Sequence, residues 1–122
     1  MKGPLFHFKT DAESRVGRGC HLYASHFVPE VVRILWAAGR SAPKNCSIVR
    51  CTEGYRSVGN DRDLHEECRA FDFTGESRAG WRLTHAELVG MAEVMRELLG
   101  PSYDVICHGE ESNFHIHVEY DP

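Results

Sequence analysis

The strongest constraint on this chain is the alternation in Asn113-Phe114-His115-Ile116-His117-Val118-Glu119-Tyr120. Phe, Ile, Val and Tyr favour a strand, and a strand sends successive side chains to opposite faces. Phe114, Ile116 and Val118 therefore point into a core, while His115, His117 and Glu119 share the other face. Two imidazoles two residues apart on a polar strand face form one wall of a metal site, or they are ordinary polar residues. The rest of the chain has to decide between these.

At 122 residues the chain is long enough for one domain with an ordinary core, and we read 1–122 as that single domain. Apolar residues at 42% and charged residues at 26% are a globular composition. A net charge of −4 supplies no field that would attract nucleic acid or an anionic membrane, so neither is expected as a partner. No apolar run has the length of a transmembrane span, and Met1-Lys2-Gly3-Pro4 does not open a signal peptide. Synthesis in the cytoplasm is the expectation. Cys20, Cys46, Cys51, Cys68 and Cys107 are odd in number and contain no Cys-x-x-Cys pair, which fits reduced thiols better than a disulfide framework.

Residues 1–20 carry little pattern beyond a short strand at Leu5-Phe6-His7-Phe8. A helix is predicted from Val28, with Pro29 in its first turn, an apolar stripe of Val31, Ile34, Leu35 and Ala38, and a stop at Gly39. Cys46 to Cys51 reads as a buried strand, and Arg69 to Thr74 as another, with Phe71 and Phe73 on one face and Ala70, Asp72 and Thr74 on the other. Glu76 to Gly80 reads as a turn. Thr84-His85-Ala86-Glu87 has the capping-box pattern and opens a second helix, with apolar positions Leu88, Met91, Ala92, Met95, Leu98 and Leu99 before Gly100-Pro101. Tyr103 to Cys107 is a further strand, and His108 to Ser112 a turn that makes the last two strands a hairpin. Two helices and about four strands give an α+β domain with a small, mostly antiparallel sheet.

The residues placed to join the last strand in chemistry are His65, which ends a polar loop, and Asp72. A carboxylate in mid-strand between two aromatics is costly to desolvate unless a cation meets it. Zinc is one such cation, and a catalytic zinc takes three His, Asp or Glu ligands and leaves a position for water. Arg69 or Arg56 would serve Asp72 equally well as an ion-pair partner. Spacing alone leaves both open.

The order of the pieces adds a resemblance. Gly54-Tyr55-Arg56-Ser57, then Asp63-Leu64-His65-Glu66-Glu67-Cys68-Arg69-Ala70-Phe71-Asp72, then His115-Ile116-His117 resemble the D-Ala-D-Ala carboxypeptidase family of zinc peptidases. That family includes L-Ala-D-Glu endopeptidases of phage lysins, and hedgehog signalling domains share its fold. The similarity runs from about Val28 to the C-terminus and is nearest to small phage-type members. It implies a hedgehog-like fold, Zn2+ held by His65, Asp72 and His117, and His115 as a nearby histidine acting on the water or the oxyanion. It also implies that Arg56 orients the site or grips a substrate carboxylate. The implied activity is zinc-dependent hydrolysis of an amide bond in peptidoglycan stem peptides, and hence cell-wall degradation. Asp63, Cys68 and Glu53 stand where the family has serine, glycine and serine. Phe114 stands where members closing with E-x-x-H carry a carboxylate, so the general base falls to His115, Glu110, Glu111 or Glu119. The alternative is a zinc-binding, non-catalytic hedgehog-like or virion-associated domain.

Overall fold

The structure is a computed structural model that describes residues 3–15, 17, 19–20, 27–53 and 70–122. Within these, strand β1 (Leu5–Phe8), helix α1 (Pro29–Ser41), strands β2 (Cys46–Glu53) and β3 (Ala70–Ser77), helix α2 (His85–Leu99), and strands β4 (Tyr103–His108) and β5 (His115–Tyr120) follow in chain order. The strands form one five-stranded sheet in the order β1-β2-β3-β5-β4. β1 runs parallel to β2, and every other neighbouring pair is antiparallel. The fold is thus α+β with two helices and a mostly antiparallel sheet, with five strands where about four were expected. The parallel pair has α1 in its connection, as parallel neighbours need a long crossover.

Both helices bury their apolar faces against the same side of the sheet. Val31, Ile34, Ala37 and Ala38 of α1 and Leu88, Met91, Ala92, Met95 and Leu99 of α2 join Val49, Cys51, Phe71, Phe73, Val105, Ile116 and Val118 in one core. Phe71 and Phe73 are fully buried with their rings 6.2 Å apart, and each contributes on the order of 1.5–3 kcal/mol through burial. Because side chains alternate, this packing fixes Asp72, His115, His117 and Glu119 on the opposite face of the sheet.

Helix α2 starts as the sequence predicts. Thr84 accepts from the Glu87 backbone N–H, and the Glu87 carboxylate accepts from the Thr84 N–H at 3.0 Å. Helix α1 departs from expectation at its end. It continues through Gly39 to Ser41, because Ala37, Ala38 and Ser41 pack inward and tertiary burial outweighs the glycine stop signal. β3 likewise runs on to Ser77, past the predicted turn at Glu76, since Gly75 and Glu76 pair with Val49 and Ile48.

β4 and β5 form the expected hairpin, but β4 reaches His108, which the sequence pattern gave to the turn. Gly109 takes φ +97°, and a Cβ there would lie 2.5 Å from the Asn113 carbonyl oxygen, so glycine is needed to close this turn. Asn113 Oδ1 accepts from the Glu110 N–H at 2.6 Å, and Arg82 donates to the carbonyls of Glu111 and Phe114. The loop that delivers His115 to the sheet is braced from both sides. No helix among the described residues is long and apolar enough to cross a membrane.

Candidate functional site

The register of two strand pairs builds the site. Asp72 of β3 stands opposite His117 of β5, and His115 of β5 stands opposite His108 of β4. Four ionisable side chains from three strands therefore meet on the face away from the helices. Asp72 and His117 side chains are each 16% exposed and His115 is 18% exposed, so water reaches the group but does not surround it.

The closest contact is between His117 Nδ1 and Asp72 Oδ1, at 2.7 Å. The other nitrogen of the same ring, Nε2, lies 2.9 Å from Glu119 Oε1. An imidazole with a carboxylate at each nitrogen is best satisfied as a cation when no metal is present. Burial alone pulls the His117 pKa down. The hydrogen bonds and negative charges of Asp72 and Glu119 outweigh this and leave it above its ordinary value.

His115 has a different environment. Its Nδ1–H donates to the Asn113 carbonyl at 2.6 Å, which leaves Nε2 as the basic nitrogen of the neutral ring. That Nε2 lies 3.8 Å from Asp72 Oδ2, too far for a hydrogen bond, and it belongs to the same cluster. His108 packs edge-on to His115 with ring centroids 4.2 Å apart, and its centroid is 5.9 Å from that of His117. Burial, then the neighbouring His115, lower the His108 pKa and favour its neutral ring.

Three of the five site residues expected from the sequence, Asp72, His115 and His117, are therefore side by side. The other two, His65 and Arg56, lie outside the described residues, as does most of the segment that carries the resemblance, 54–69. Among the described residues Asp72 meets His117 and His115, which the sequence pattern did not offer as its ion-pair partners; Arg56 and Arg69, which it did, lie outside the described residues. Glu110 and Glu111 lie in the exposed turn between β4 and β5, whereas Glu119 touches His117.

Sequence reasoning missed His108. Its signal was the alternation Asp104, Ile106, His108, which continues the strand past Cys107 once the hairpin register is fixed. Phe114, which stands where the resemblance would call for a carboxylate, stacks on His85 with centroids 4.1 Å apart. On the far side of Glu119, its carboxylate and those of Asp104 and Asp121 bring oxygens within 4.8 Å of one another.

Carboxylate oxygen and imidazole nitrogen aimed at each other are a donor set for zinc and similar divalent metals. The gap of 2.7 Å is a hydrogen-bond distance. Two ligands of one tetrahedral zinc stand roughly 3.3 Å apart, so a small swing of either side chain would admit the ion. Compared with protein-family models, with curated proteins and with solved structures, the chain finds no match.

Proposed function

We propose that the protein is a zinc-dependent peptidase acting on peptidoglycan stem peptides, with a hedgehog-like arrangement of its site. The observation that carries this reading is the cross-strand pair of Asp72 and His117 with His115 beside it on the same face. These are the residues that the resemblance assigns to two metal ligands and their neighbouring histidine. His65, by the same resemblance, supplies the third ligand.

Asp72, through a carboxylate oxygen, and His117, through an imidazole nitrogen, would hold the metal. Zinc, when bound there, would supply a water whose pKa is lowered toward ~7 and a Lewis acid for the carbonyl group. His115 keeps its own proton on Nδ1, against the Asn113 carbonyl, and offers Nε2 toward Asp72. In that tautomer it takes a proton at Nε2 from the attacking water and then returns it to the leaving amine. Arg56 grips a substrate carboxylate bidentately or steadies the oxyanion. His108 lies at the exposed edge of the cluster, the side from which an extended peptide would approach.

Hydrolysis of peptidoglycan fragments, followed by mass spectrometry with and without chelator, tests this reading. Release of a stem-peptide product that stops on chelation and returns with zinc is the expected result. A protein that binds zinc stoichiometrically and cleaves none of these fragments would instead fit the second reading, a zinc-binding, non-catalytic domain. Phe114 on His85 favours that alternative, because no carboxylate occupies the position from which many family members draw their base.

A further inference from the structure

His117 has two nitrogens and a carboxylate at each, and only one of them faces the other expected ligand. Nδ1 points at Asp72 Oδ1, 2.7 Å away, and Nε2 points at Glu119 Oε1, 2.9 Å away. A neutral imidazole carries one proton, so a metal can replace the proton on one side only while the other nitrogen keeps its hydrogen. Which side it takes decides where the metal sits. On the Nδ1 side are Asp72 and, beyond it, His115. On the Nε2 side are Glu119 and its neighbours Asp104 and Asp121.

We propose that Glu119 is the positioning residue of the metal centre: it keeps the proton on Nε2 of His117 and so reserves Nδ1 for the metal beside Asp72. The inference rests on the zinc reading given above and adds to it the ligating nitrogen and the residue that selects it. Glu119 is suited to this by register. It follows His117 by two residues on the same strand face, and its backbone is held between Ala70 of β3 and Asp104 of β4. Its carboxylate therefore approaches the ring from a fixed direction. A metal-bound histidine whose second nitrogen donates to a carboxylate is oriented, and it is a stronger ligand for that bond. Loading the metal on Nδ1 then needs no change of tautomer, only loss of the proton shared with Asp72.

The test has two readouts that do not depend on hydrolysis. In zinc-loaded protein with 15N-labelled histidine, long-range proton–nitrogen correlation spectra should show His117 protonated at Nε2 and metal-bound at Nδ1. Zinc titrations should give a Kd weakened roughly 10–100-fold in Glu119→Ala. Glu119→Gln loses the same charge but keeps an acceptor oxygen, and it should recover most of that loss. Equal losses in the two variants would assign the effect to charge and overturn the positioning role, as would unchanged affinity in Glu119→Ala. Metal on Nε2 would overturn it too, by placing the ion with Asp104, Glu119 and Asp121. Wild-type protein that takes up no stoichiometric zinc would remove the zinc reading itself, and this inference with it. That result is distinct from the others, in which wild type binds.

Discussion

Asp72 and His117 occupy directly opposed positions on β3 and β5, with Oδ1 and Nδ1 2.7 Å apart, although 45 residues separate them in sequence. The strand pair fixes both backbones, so little side-chain freedom is lost when a cation joins them. A pair held in this way is preorganised for the metal proposed above.

The charge state of His117 gives a pH dependence. Its pKa is raised in the fold, since the hydrogen bonds and charges of Asp72 and Glu119 outweigh the lowering by burial. A raised histidine stabilises the fold fully below its unfolded value, near 6.5, and that contribution is lost as pH climbs through the folded value. Thermal melts of metal-free protein should therefore show Tm falling as pH rises through neutrality, and His117→Gln should flatten the trend. Zinc must displace this proton, so its apparent affinity should grow up to about tenfold per pH unit until the ring is neutral, then level off. Affinity independent of pH across that range would exclude His117 as a ligand.

His115 and His117 should separate by mutation. His117→Ala should abolish stoichiometric zinc. His115→Ala should keep zinc within a fewfold while hydrolysis falls by about 10²–10⁴, the range for losing a general base. Zinc titration and kinetics on the same preparations check this. Equal metal loss in both would make His115 a ligand and shift the search for a base toward His108 and Glu119.

Arg56 is expected to act on substrate and not on the fold. Arg56→Lys should then fail nearly as badly as Arg56→Ala, because an ammonium cannot reproduce the guanidinium fork. A fall in kcat/KM of about 10²-fold with unchanged Tm and zinc content is the expected pattern. Early melting with normal activity per folded molecule would make Arg56 structural.

Gly75 tests the packing beneath the site. A Cβ at this position would lie 2.6 Å from Leu83 Cδ1 and 3.1 Å from the Ile48 carbonyl oxygen, and Leu83 is buried. Gly75→Ala should cost about 1–3 kcal/mol by denaturant unfolding, as overpacking does, and leave zinc affinity near wild type. A neutral effect would mean that the β3 end relaxes more readily than this packing implies.

Local pattern carried most of the elements and one wall of the site. Helix α2 was legible because its capping box and apolar spacing agree, and the face of His115, His117 and Glu119 was legible because strand alternation has period two. Gly39 misled because a local stop signal yields to burial of Ala37, Ala38 and Ser41. Register was not legible. Nothing near Asp72 states that it will oppose His117, and nothing near His108 states that β4 will carry it beside His115. Both depend on non-local pairing, set by which strand faces the helices bury.

The most direct measurement is a crystal structure of zinc-loaded protein with anomalous scattering recorded at the zinc edge. We expect one strong peak within roughly 2.0–2.2 Å of an Asp72 oxygen and of His117 Nδ1, with His65 closing on the same ion. A peak among Asp104, Glu119 and Asp121, or none at all in protein grown with excess zinc, would contradict the metal centre proposed for β3 and β5.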